Sequence, residues 1–135
     1  MDNYELIENN SFVEQVGAGK HKLTATVTAV VDGISIYLGG GDKPHIGTVV
    51  ISQPRPSLAH DGERSATSSV INLLNHKDDL IAIPLAEHIC KTMNKVVVIS
   101  AGVHIDQATE DDLAIIAALS SKLATIIIDR LQKNS

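Results

Sequence analysis

The run His21-Lys22-Leu23-Thr24-Ala25-Thr26-Val27-Thr28-Ala29-Val30-Val31-Asp32-Gly33-Ile34-Ser35-Ile36-Tyr37-Leu38 decides the fold. Leu23, Ala25, Val27 and Ala29 alternate with Thr24, Thr26 and Thr28, the period of a strand with one buried and one wet face. Asp32-Gly33 breaks the run and Ile34 to Leu38 resumes it, the signature of a two-residue hairpin whose turn takes positive φ. Two antiparallel neighbouring strands are therefore expected. A sheet with one apolar face must be covered on that face, and helices are the cover expected here.

Downstream comes Gly39-Gly40-Gly41-Asp42-Lys43-Pro44-His45-Ile46-Gly47, read as a loop, and then a third strand over Ile46 to Ser52. The glycine cluster fits neither GxGxxG nor GxxxxGK[ST] and precedes a strand instead of opening a helix, which excludes a dinucleotide fingerprint or a P-loop. A plain hairpin connection would be shorter. Glycine lets a backbone approach a ligand closely, and backbone N–H groups with Lys43 would suit a phosphate. Pro54, Pro56 and the segment His60-Asp61-Gly62-Glu63-Arg64 read as an exposed loop, and Thr67 to Leu74 as a fourth strand.

His76-Lys77-Asp78-Asp79 marks a polar corner before a helix expected to start near Ile81 to Ile83 and to end at Met93, with Pro84 in its first turn and Asp78 available as a cap. Lys95 to Ile99 is a continuous β-branched run of the kind found in a central strand buried on both faces, and it leads into Ser100-Ala101-Gly102-Val103-His104. Thr109 followed by Glu110, Asp111 and Asp112 caps a long second helix. Leu113, Ile116, Ala117, Ser120, Leu123, Ala124, Ile127 and Leu131 form its apolar face, widened by Ile115, Ile126 and Ile128, which suggests a homodimer contact. The expected architecture is α+β: a mostly antiparallel sheet of five to six strands with two main helices on one face, in one domain over residues 1–135, of which 1–15 are expected to be loosely ordered.

Composition narrows the function. Aromatics make up only 2% of the 135 residues and the net charge is −5, so the stacking platforms and basic stripes of nucleic-acid binders are missing. Cys90, the single cysteine, sits in an apolar-periodic stretch and reads as a buried, inert thiol. Neither a secretory signal nor an apolar window long enough for a membrane span is present, and a cytoplasmic location is expected.

Three histidines, His45, His76 and His104, each fall where a strand meets a loop. Converging, they would suit a metal ion or an anion, although no HxH, HExxH or CxxC spacing is present and each alone reads more readily as a surface or cap residue. Ser100 lacks the GxSxG elbow of a serine hydrolase.

The three segments 39–47, His-Lys-Asp-Asp at 76–79 and Ser-Ala-Gly-Val-His-Ile-Asp at 100–106 together resemble the LpdD-like prenylated-flavin chaperones, small D subunits associated with UbiD-type hydroxyarylic-acid decarboxylases. The resemblance spans Leu23 to Leu131 and implies a homodimer with a proteasome-assembly-chaperone type of fold. It implies a non-enzymatic carrier that binds prenylated flavin mononucleotide and delivers it to an apo-decarboxylase. Carried over by motif, Gly39, Gly40, Gly41, Lys43, Pro44, His45, Lys77, Asp78 and Gly102 would line the cofactor site, with His45, His76 and His104 holding a divalent metal ion if one is bound. Tyr37 is the one stacking partner for the ring, and His60 belongs either to the site or to an insertion. A small metal-dependent enzyme built on the three histidines and an assembly chaperone that needs no ligand are the competing readings.

Overall fold

The computed structural model describes residues 10–59, 61–73 and 78–134, so His60, His76 and Lys77 lie outside the described residues. Among the described residues six strands and two α-helices follow in the order β1 (Ser11–Val16), β2 (Leu23–Val30), β3 (Gly33–Gly41), β4 (Thr48–Pro56), β5 (Arg64–Asn72), α1 (Asp79–Met93), β6 (Val96–His104) and α2 (Glu110–Lys133). The strands form one sheet in the order β1-β2-β3-β6-β4-β5. Every neighbouring pair is antiparallel except β3 and β6, which run parallel from Gly33↔Val96 to Gly41↔His104. The α+β architecture expected from the sequence is the one found.

Alternation places Leu23, Ala25 and Val27 of β2, Ile36 and Leu38 of β3, Val50 of β4, and Val97, Ile99 and Ala101 of β6 on one face, almost completely buried. Both helices lie on that face, α1 contributing Ala82, Leu85, Ala86, Ile89 and Cys90 and α2 contributing Ile116, Leu123, Ala124 and Ile127. The opposite face stays open and is built from Thr26, Ser35 and half-buried Thr24, Thr28, Val98 and Ser100. β6 is therefore central but buried on one face only. Val96 and Val98 keep partial exposure where the continuous apolar run had suggested burial on both sides.

Several local readings shift. Val30 pairs with Gly33, so the hairpin turn is Val31-Asp32, and neither residue takes positive φ. The glycine run is not loop: Gly39 to Gly41 complete β3 opposite Gly102 to His104. Pro54 and Pro56 are strand residues paired with Ala66 and Arg64. They are tolerated because β4 pairs with β6 only as far as Ser52↔Val97, leaving an open edge beyond it for a residue with no N–H. Ser11–Val16, whose first five residues fall in the stretch expected to be loosely ordered, is the edge strand β1. Helix α1 starts at Asp79, which puts Pro84 in the second turn and takes the i→i−4 donor from the Leu80 carbonyl, at a residue that is 74% exposed.

Helix α2 begins with a capping box. The Thr109 hydroxyl accepts from the Asp112 N–H and the Asp112 carboxylate accepts from the Thr109 N–H. Asp112 is buried and also meets His21 Nε2 at 2.7 Å and Lys20 Nζ at 3.2 Å, so it ties the short turn before β2 to the helix start. The Thr109 backbone N–H, then His21, hold its carboxyl well below the ordinary value of 3.8. At the other end Arg130 meets Glu14 at 2.7 Å and lies over the Phe12 ring, fastening the helix to edge strand β1.

Thr109→Ala is expected to cost about 1 kcal/mol in urea unfolding. Because the folded-state pKa of Asp112 is depressed, its stabilisation is complete above pH 3.8 and is lost as the pH falls below that. Acid titration of the melting temperature should show this loss in the native chain and a flatter profile in Asp112→Asn.

Candidate functional site

β3 and β6 end together at Gly41 and His104, and there the chain must leave β3, pass the end of β6 and reach β4 on its far side. Residues 42–47 make that crossing. Their backbone lies directly on β6: His45 N–H donates to the Gly102 carbonyl at 3.4 Å and Gly47 N–H to the Ala101 carbonyl at 2.8 Å. A Cβ on Gly102 would stand 1.8 Å from the His45 carbonyl oxygen, and one on Gly41, whose φ is +76°, would stand 2.1 Å from that of His104. The two glycines are required by this contact between backbones.

Tyr37 holds the crossing from the open face. Its hydroxyl donates to the His45 carbonyl at 2.9 Å, and its ring covers Gly39, where a Cβ would come within 2.7 Å of it. Burial, and next the nearby Asp78 carboxylate, raise the phenol's pKa, keeping it a donor. The ring expected as a stacking partner is thus engaged in anchoring the loop.

Asp78 stands at the N-cap position of α1 but makes no side-chain bond to the helix N–H groups. Its Oδ1 accepts from the Val103 N–H at 2.9 Å, where β6 has run past its β4 partner, and its Oδ2 faces His45 Nε2 at 3.3 Å. With 6% exposure the carboxylate is a buried joint between α1, β6 and the crossing. On the other side of the His45 ring, Nδ1 meets the Lys43 carbonyl at 3.0 Å. Both ring nitrogens thus face oxygen atoms of the protein.

His104 lies beside it, the ring centroids 6.4 Å apart and the planes at 78°. His104 Nε2 meets Asp106 at 2.8 Å, the Asp106 N–H donates to the Asp42 carboxylate at 3.1 Å, and the Asp42 N–H donates to the His104 carbonyl at 2.7 Å. The structure therefore brings together Gly39, Gly40, Gly41, His45, Asp78, Gly102 and His104 at one end of the sheet, with Lys43 and Pro44 exposed on the crossing. His76 and Lys77 fall outside the described residues. Among the described residues no group of three or more His, Cys, Asp or Glu side chains is arranged to hold a metal ion. Asp42 and Asp106 were missed by the sequence reading; a His and an Asp two residues apart at a strand end was the available signal.

A family profile described as the prenylated flavin chaperone LpdD-like domain matches residues 17–132. The chain belongs to this family. It is 28% identical over 125 residues to Protein LpdD of Lactiplantibacillus plantarum, an alignment covering 88% of this chain and 82% of that protein. Among solved structures, a chain from a chaperone complex for yeast 20S proteasome assembly superposes with a TM-score of 0.48 at 11% identity, covering 84% of this chain and 98% of that one. No helix among the described residues is long and apolar enough to cross a membrane.

Gly102→Ala forces the crossing off β6 and is expected to cost about 1–3 kcal/mol, the scale of an overpacked core. Thermal melting measures the cost, and loss of the His45–His104 contact in a crystal structure of the variant shows its cause.

Proposed function

We propose that this LpdD-like chain binds prenylated flavin mononucleotide at the shared ends of β3 and β6 and hands it to an apo UbiD-type decarboxylase without turning it over. The observation that carries the reading is the gathering of the family-matching segments 39–47 and 100–106, with Asp78, around one crossing. Gly39 to Gly41 and Gly102 are packed against by Tyr37, Lys22, His104 and His45, so their part is to let the crossing lie close to β6 and to hold the polar residues of the site in register. Lys43 suits the flavin phosphate, with Lys77 and His76 as further residues of the site. His45 and His104 supply polar contacts at its floor, and Pro44 an apolar rim.

The reading needs no metal. His45 has Nδ1 at the Lys43 carbonyl and Nε2 facing the Asp78 carboxylate, so a metal ion would have to displace one of these contacts to reach the ring. That engagement also speaks against a small metal-dependent enzyme at this site. A chaperone's task is met by binding and release, and the rigid anchoring of the loop by Tyr37 and Gly102 suits a preformed cradle. We read the chain as a homodimer as well, since α2 leaves Leu113 60% and Ile115 41% exposed; light scattering that finds a monomer at high concentration would remove this part of the reading.

Incubation with reduced prenylated flavin mononucleotide followed by gel filtration is expected to give co-elution of protein and chromophore. His45→Ala and His104→Ala should each weaken binding about tenfold, the scale of one lost charge-assisted hydrogen bond. Loaded protein should restore activity to apo-decarboxylase while showing no decarboxylation alone. A native chain that elutes without flavin overturns the proposal.

A further inference from the structure

At the end of the sheet opposite His45 and His104, the β4–β5 hairpin runs on past its last pairing with β6 at Ser52↔Val97. Helix α1 stops at Met93 against this extension, and the space between them is a groove of about 740 Å³. Its lining includes Arg55, Arg64 and Lys91 against the one acid Glu63. In a chain of net charge −5 such a cationic concentration is unusual.

The two arginines are held in place by their surroundings. Arg55 Nε donates to the Thr67 hydroxyl at 2.8 Å and its Nη1 to the Pro56 carbonyl at 3.1 Å. Arg64 Nη1 donates to the Lys91 carbonyl at 2.6 Å, closing the last turn of α1. These bonds use three of the ten guanidinium N–H groups that two arginines carry, and a pre-placed guanidinium with donors to spare is suited to carboxylates. The volume exceeds what a lone phosphate fills, and the positive groups are spread over a hairpin and a helix end. That spread matches successive acidic side chains on one extended segment.

We propose that this groove is a docking site for an extended, Asp- and Glu-rich segment of a partner protein. It rests on the reading that the chain acts on a partner, and it adds where that partner is held: at the end of the sheet away from the proposed flavin site. Such a tether would keep the partner attached while the other end is free to release its cargo. Steering by opposite charge would also speed the encounter.

The test is fluorescence anisotropy with a labelled octaglutamate peptide as the probe. The native chain should bind it, and binding should weaken about tenfold between about 50 and about 200 mM salt. Arg55→Glu/Lys91→Glu should abolish binding, Arg55→Gln/Lys91→Gln should weaken it several-fold, and His45→Ala should leave it unchanged. Circular dichroism melts confirm that the variants fold, and both double variants should still co-elute with flavin, which separates failure of this site from failure of the flavin reading. No binding to the native chain, equal binding of octalysine, retention in both folded double variants, or uptake of inorganic phosphate without the peptide would each overturn the proposal.

Discussion

The absence of a side chain at Gly102 is the constraint on which the rest of the site depends. Two backbones meet there at a separation that any Cβ would violate, its position lying 1.8 Å from a carbonyl oxygen. Because the crossing can lie flat on β6, His45 arrives beside His104 and within reach of Asp78, and Tyr37 can fasten it from the open face. With the chain one atom thicker at this point, the segments that carry the family's pattern would not share a surface. Packing tolerance, more than the chemistry of any single residue, sets this arrangement.

Two buried carboxylates show how one residue type takes opposite parts. Asp112 closes a capping box and gathers Lys20 and His21, all in the service of positioning α2 on the sheet. Asp78 stands at the start of the other helix, yet turns its oxygens away from the helix to the Val103 N–H and the His45 ring. The difference follows from topology. β6 outruns β4 at Val103, whose N–H is answered by the Asp78 carboxylate, whereas the start of α2 is closed by its own capping box, to which Lys20 and His21 are added.

Much of this was legible in the chain because local rules and tertiary structure agree. The alternation from Leu23 to Ala29 announces a half-buried strand, and Thr109 with its acids announces the start of α2. Where the two disagree, reading by pattern fails. Three glycines in a row carry the propensity of a loop, yet β6 pairs with them and makes them strand. Pro54 and Pro56 signal a break, but an unpaired edge removes the penalty they would otherwise impose. Ser11 to Val16 hides as a strand because its outward positions are not uniformly polar, Val13 being 52% exposed. The convergence of His45 with His104 needs the parallel pairing of β3 and β6, two strands joined by more than fifty intervening residues, and no local pattern reports it.

The prolines in β4 have one more consequence. A strand edge with regularly spaced backbone donors is a template onto which another chain can build, the first step of aggregation and of accidental domain exchange. Beyond Ser52 the β4 edge is open, and Pro54 and Pro56 remove two donors from it within three residues. A foreign strand laid along this stretch would find its carbonyls unanswered, so the hairpin is protected from polymerising there while staying accessible to ligands that bind through charge.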